Sequence, residues 1–345
     1  MTRLRRALAL WLPLLLAAAA ATAVWRGVRS IDLPLNLAAP LVYKVVPGVR
    51  FARVAADLAA RGVLAQPRAL VLYARWQGLA ARVKAGEYLL LPQTTPRAML
   101  EKMVRGEVLL HSFTIIDGWQ VRDLLRALRR DPNIETTLPL QPVDLMAKFG
   151  APQQSPEGQF LPETYRFAAG ATDIELLQRA HAALTRELAA AWKTRDTGIA
   201  LHDPQELLIV ASIVQKESSL RQERREIAGL YLHRLAIGMR LQADPTVIYG
   251  LGERYDGSLH SVDLRTDGPY NTYTRAGLPP TPIALPGAAA IQASANPHKT
   301  DALYFVASGK SDGSHVFSAT LQAQNAAVAR YLARLRRKHA DEAAK

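Results

Sequence analysis

Glu217 closes a run of aliphatic residues where a further core side chain would be expected. In Leu207-Leu208-Ile209-Val210-Ala211-Ser212-Ile213-Val214-Gln215-Lys216-Glu217, helical spacing puts Val210, Ile213, Val214 and Glu217 on one face. A carboxyl group on an apolar face loses hydration, which disfavours its charged form and raises its pKa. A glutamate held near its protonated state at neutral pH can act as the general acid that a departing glycosidic oxygen needs. A buried ion pair with Arg221 or Arg224 would explain the same residue without chemistry, and the helix pattern alone leaves both readings open. Downstream, Gln242 and Asp244, then Tyr270, Asn271 and Tyr273, precede a rigid Gly277-Leu278-Pro279-Pro280 loop. Amide, carboxyl and aromatic groups in loops suit a sugar polymer, which is read by planar hydrogen bonds and ring stacking. Asp244, directly before Pro245, also fits the N-cap of a short helix. The segment from Ser155 to Tyr165 carries carboxylates, an amide and aromatics, and reads as either a binding loop or a solvated turn.

Other chemistries lack their residues. With no cysteine there is no disulfide, thiolate nucleophile, iron–sulfur cluster or Cys-ligated zinc. The eight histidines are scattered without a His-Glu-x-x-His spacing, so no metal centre is expected, nor is a cofactor or a serine triad. The net charge of +13 resides mostly in arginines and lysines near the two ends, and the body between is only mildly basic. A nucleic-acid partner would need a dense basic stripe with a reading element, and none is expected.

Positioning these groups falls to recognisable elements. Asp203-Pro204-Gln205-Glu206 has an Asx cap, proline at the first helical position and Glu three residues on, the pattern of a capping box. A second helix ends at Gly238; a hairpin joins Leu303–Ala307 to His315–Ser318 through Asp312-Gly313; an amphipathic helix follows from about Leu321 to Lys338. Nearer the start, Val42–Val46 reads as a strand, two helices follow (through Val54, Ala55 and Leu58, then from Pro67 to about Trp76), and Gly86–Leu91 reads as a second strand. Another strand begins at Phe113. This β-α-α-β unit resembles the LysM carbohydrate-binding module, and a plain structural platform accounts for it equally well. Residues 117–200 read as mostly helical with proline-rich breaks. Residues 31–41 read as a linker. Before it, Ala7 to Trp25 is uncharged, preceded by three arginines; its 19 residues at about 1.5 Å each just cross a hydrocarbon core. The flanking charges predict an uncleaved anchor with its N-terminus inside, a cleaved secretory signal being the alternative.

Ala211–Glu217, Arg240–Gly250, Tyr270–Tyr273 and Gly277–Pro280, with the Pro156–Tyr165 loop and Leu303–Phe305, closely resemble the endolytic murein transglycosylases of the YceG-like family over about Val42 to Leu335. The resemblance implies an α+β fold: an N-terminal transmembrane helix, a LysM-like β-α-α-β subdomain and a mixed helical/β catalytic domain. The expected divisions are 1–29 (cytoplasmic tip and anchor), 30–41 (linker), 42–112 (LysM-like), 113–338 (catalytic) and 339–345 (polar tail). It implies a single-pass inner-membrane enzyme with a periplasmic catalytic domain, terminating or trimming nascent peptidoglycan strands, with peptidoglycan synthases of elongation or division as candidate partners. The family's catalytic glutamate maps to Glu217. It would protonate the oxygen between N-acetylmuramic acid and N-acetylglucosamine, then take the proton of the muramyl 6-hydroxyl as that group closes a 1,6-anhydro ring. Gln242, Asp244, Tyr270, Asn271, Tyr273 and Glu163 are the expected sugar-positioning residues. Gln242, Tyr270 and Asn271 are expected to serve the glycan more than the fold. Two positions depart from the family: Gln215 stands where a second glutamate is common, about 200° around the helix from Glu217, and Glu163 where aspartate is common.

Overall fold

Alternation decides the first strand pair. Strand β1 (Leu41–Val45) turns Tyr43 and Val45 inward and Val42 and Lys44 outward, and it pairs antiparallel with β2 (Gly86–Leu90) so that Tyr43 faces Tyr88. Between them run α1 (Phe51–Ala60), burying Phe51, Val54, Ala55 and Leu58, and α2 (Pro67–Trp76), burying Leu70 and Ala74. The computed structural model describes residues 17–18, 22, 25–138, 142–218 and 220–343. Most of the segment expected as an anchor, 7–25, lies outside them, and no described helix is long and apolar enough to cross a membrane.

The chain divides into two units, one of residues 1–111 with 166–170 and one of 112–165 with 171–345. The first unit also holds α3 (Pro96–Arg105), which the sequence reading overlooked. Its signals are local: Thr95 caps the Ala98 amide, Pro96 opens the helix, and Gly106 ends it at a φ of 75°. Met99, Leu100 and Met103 complete the core begun by β1, β2 and α1. Strand β3 (Leu110–Thr114) begins three residues before the expected Phe113, and its partner is β5 (Thr164–Ala168).

The second unit is built round a buried helix. After α4 (Val121–Arg130), a 3-10 turn (Pro142–Phe149) and the two-residue pair β4 (Ile134–Glu135) and β6 (Ala171–Thr172), α5 (Asp173–Lys193) leads to α6 (Pro204–Glu217). Helices α7 (Arg224–Ala236), α8 (Asp244–Leu251), α9 (Ser261–Arg265) and α10 (Ala288–Ala295) follow, then the antiparallel hairpin β7 (Tyr304–Ala307) and β8 (His315–Ser318), and α11 (Leu321–Ala343). Eight consecutive residues of α6, Leu207 to Val214, are buried, with α5, α7, α8 and α10 packed around it. The expected single apolar face is thus a stretch of helix buried on all sides, as its aliphatic run, interrupted only by Ser212, requires. At Gly229 an added Cβ would lie 2.1 Å from the His298 carbonyl oxygen, so only glycine lets that backbone approach α7.

Candidate active site

Helix α6 keeps the expected Asp cap and proline start but not the full capping box: Asp203 accepts the Glu206 amide at 2.8 Å and Pro204 takes the first turn, while the Glu206 carboxylate accepts the His202 amide in place of the Asp203 amide. Ser212, buried in the middle, donates to the Ile209 carbonyl and accepts the Ile283 amide at 3.0 Å, which fastens the proline loop to the helix. Glu217 is the last residue of α6, where the run of buried side chains opens into a cavity of about 270 Å³.

Five further segments wall this cavity. Tyr231 and Arg234 come from α7, one turn apart; Gln242 and Asp244 from the start of α8; Tyr273 from the loop after α9; Tyr304 and Phe305 from β7; and Gln324 from α11. The Tyr231 hydroxyl donates to Glu217 Oε1. Arg234 is held through backbone carbonyls, by Nε to Leu303 at 2.6 Å and Nη1 to Leu241, with its guanidinium 5.4 Å from the Tyr304 ring centre. The Tyr273 hydroxyl donates to Asp244 Oδ1 at 2.5 Å. The hairpin is fixed in turn by Glu223, whose carboxylate accepts the His315 amide at 2.9 Å and contacts its Nδ1 at 2.7 Å. Gln324 donates to the Phe305 carbonyl, and its buried Oε1 has no hydrogen-bond partner among the described residues. Gln242 has a φ of 49°, a left-handed conformation uncommon for a side chain of its size.

Burial pushes the Glu217 carboxyl up to about 7; the Tyr231 hydrogen bond and the Arg234 charge pull it down, and the Asp244 charge pushes it up. Its place at the negative end of α6 acts in the same upward sense as burial. Burial and the facing Glu217 raise the Tyr231 phenol well above its ordinary value, so it stays a donor. Glu217 forms no ion pair with Arg221 or Arg224 among the described residues, so the ion-pair reading of this carboxylate is not what the structure shows.

A family model described as the YceG-like family matches residues 43–330. The chain belongs to the YceG-like family. A Bacillus subtilis (strain 168) protein named endolytic murein transglycosylase is 29% identical over 305 residues, 83% of each chain. A Streptococcus pneumoniae protein of the same name is 35% identical over 156 residues, 44% of this chain but only 28% of that longer relative. A solved yceG-like protein from Listeria monocytogenes superposes with a TM-score of 0.51 at 26% identity, covering 83% of this chain and 98% of the other.

In this YceG-like chain the structure brings together Glu217, Gln242, Asp244 and Tyr273 and leaves out the other three expected residues. Asn271 is buried and ties its own loop: Nδ2 donates to the carbonyls of Asp263, Leu264 and Thr266, and Oδ1 accepts the Tyr273 amide. These bonds commit its side chain to the loop that presents Tyr273. Tyr270 packs edge-on against Tyr249 at 4.8 Å and bonds Thr281 Oγ1. Glu163 lines a different cavity, with Arg179 and Arg186, and is not among the residues around Glu217. Asp244 is no N-cap: Ala243 holds that position, and the Asp244 carboxylate is taken by Tyr273. Gln215 points away from Glu217, accepting the Gly287 amide.

The Ser155–Tyr165 loop is not a solvated turn. Glu157 to Leu161 are buried, and Glu157 accepts the Val121 amide at 3.1 Å and the Tyr249 hydroxyl at 3.3 Å, so it caps α4 with a carboxyl that burial pushes up to about 7. A serine in the spacing of a nucleophile elbow, Gly309-Lys310-Ser311-Asp312-Gly313, lies in the exposed β7–β8 turn rather than between strand and helix. Sequence reasoning missed Tyr231 and Arg234. The available signal was a phenol inside the apolar stretch Ile227 to Leu232, with a guanidinium one turn further on.

Proposed function

We propose that the chain is a membrane-anchored endolytic peptidoglycan lytic transglycosylase that cleaves the bond between N-acetylmuramic acid and N-acetylglucosamine without water, leaving 1,6-anhydromuramyl ends. The observation that carries this is Glu217, a carboxyl raised to about 7 inside a polar cavity with one oxygen held by Tyr231. At neutral pH a substantial fraction is protonated, and Oε2 is the oxygen left to deliver the proton. Glu217 gives that proton to the glycosidic oxygen as its bond to C1 breaks. The resulting carboxylate, stabilised by the Tyr231 hydroxyl and the Arg234 charge, then takes the proton of the muramyl 6-hydroxyl as its oxygen bonds C1. The Asp244 carboxylate, oriented by Tyr273, faces the same space and favours the positive charge that develops at the sugar. Tyr304 and Phe305 supply ring faces for stacking.

A second reading is favoured by Asp244 itself. Two carboxylates in one cavity are also what a lysozyme-like hydrolase needs. Digestion of purified sacculi by the full chain, followed by mass spectrometry, separates the readings. The transglycosylase releases muropeptides lighter by one water than the hydrolytic products; a hydrolase leaves reducing ends; a non-catalytic glycan-binding scaffold releases nothing. Asp244→Asn keeps far more activity than Glu217→Gln if a single carboxylate suffices, and is equally inactive if it does not.

Residues 7–25 are proposed to remain as an inner-membrane anchor with the body in the periplasm, and the β1-α1-α2-β2 unit to be a LysM-like module. The run of 19 uncharged residues behind three arginines supports the first, and the strand-helix-helix-strand order with paired outer strands supports the second. Protease digestion of the body in spheroplasts tests the topology; a mature soluble form beginning near residue 24 would overturn it.

A further inference from the structure

We propose that the first unit lies on the membrane surface, with helix α2 set in the interface of an anionic bilayer as a second contact beside the anchor. The proposal rests on reading residues 7–25 as that anchor. Residues 25–30 are helical and continue directly from the apolar run, and Gly27 of this turn packs on α2, where a Cβ on Gly27 would sit 3.5 Å from Ala69 Cβ. On α2, Ala69, Leu72, Tyr73 and Trp76 recur at the spacing of one helical stripe, distinct from the Leu70 and Ala74 stripe that packs the core. The outer part of that stripe is bare: Leu72 is 65% exposed and Trp76 80%. Trp25 and Val28 on the adjoining turn are exposed as well.

The charge around these apolar groups identifies what covers them. Arg26, Arg29, Arg68 and Arg75 flank them, all exposed and none in an ion pair among the described residues; Arg29 lies over the Trp25 ring at 5.2 Å. Neither 25–30 nor 66–77 contains an acidic residue. A tryptophan and a leucine with unpaired guanidinium groups beside them match the acyl–headgroup boundary of a bilayer carrying phosphate charge. The Asp32 carboxylate, which shares Arg97 with the Tyr73 hydroxyl, is held in that ion pair, so beside the exposed rings the free charge is cationic, which favours phosphate headgroups over a sugar chain. Because the chain leaves the expected anchor at residue 25 and meets α2 two residues later, the bilayer surface is within reach of Leu72 and Trp76.

The chain has no cysteine, so single nitroxide labels can be placed without altering it elsewhere. The full chain carrying Leu72→Cys, Trp76→Cys, Lys310→Cys or Leu15→Cys is labelled and reconstituted in vesicles of phosphatidylethanolamine and phosphatidylglycerol at 3:1. Collision with oxygen is compared with collision with a water-soluble nickel chelate. At 72 and 76 the oxygen-to-nickel ratio is expected to be several-fold above that at 310, in the exposed hairpin turn, and to fall toward it in neutral phosphatidylcholine vesicles. Ratios at 72 and 76 equal to that at 310 overturn the proposal, as does shielding of these labels only when soluble glycan strands are added. Embedding that is identical in neutral vesicles overturns the choice of an anionic surface. The label at 15 reports the anchor independently, so failure of the anchor reading and failure of the α2 contact give different patterns.

Discussion

Replacing Glu217 by Gln should abolish cleavage and, at alkaline pH, make the protein more stable. The carboxyl is raised from 4.5 to about 7, so the folded state holds a proton that the unfolded chain releases earlier. Stability from this group is therefore complete below about 4.5 and is lost as the pH rises through about 7. At about 1.4 kcal/mol per pH unit of difference, the loss above pH 7 approaches about 3.5 kcal/mol before any discount for exposure. Because Glu217 keeps some exposure toward its cavity, about 1–3 kcal/mol is the expected range. Gln is isosteric and does not titrate, and Glu157, raised by burial too, is common to both proteins and cancels. Glu217→Gln should therefore gain about 1–3 kcal/mol on the wild type between pH 5 and pH 8, a relative rise in Tm of roughly 2–10 °C for a domain of this size. Parallel melts at the two pH values read this directly, and release of anhydro ends should fall by about 10²–10⁴-fold. Equal melting shifts at both pH values, or wild-type turnover in the variant, would refute the reasoning.

Tyr231→Phe removes the donor that favours the ionised Glu217, so the fall in kcat with rising pH should move upward by about one to two pH units; an unmoved profile means the phenol does not tune the acid. Asn271→Ala strands three carbonyls and should cost about 2 kcal/mol or more, read as a lower Tm, contrary to a role confined to sugar contact. Gly229→Ala forces a methyl group into the His298 carbonyl and should destabilise by about 1–3 kcal/mol in chemical denaturation, whereas an unchanged midpoint would mean that α7 is free to move away.

Features set by neighbours in the chain could be read without the fold. The Asp203-Pro204 start of α6, the strand-helix-helix-strand order of 41–90 and the β7–β8 hairpin all follow from capping, proline placement, alternation and turn residues. Glu217 stood out for the same reason, as a carboxyl ending an aliphatic run. What surrounds it depended on which distant segments pack together. Tyr231, fourteen residues on, and Asp244, Tyr273 and Tyr304, from three other segments, meet Glu217 only because α7, the start of α8, the loop after α9 and β7 converge on the end of α6. The same packing sent Asn271 into its own loop and Glu163 to another cavity, though by residue type each suited a sugar as well as Gln242 does. Residue type and spacing determine what a side chain can do; burial and the partners brought in by tertiary contacts decide which of those capacities it keeps, because a polar group away from water must satisfy whatever lies beside it.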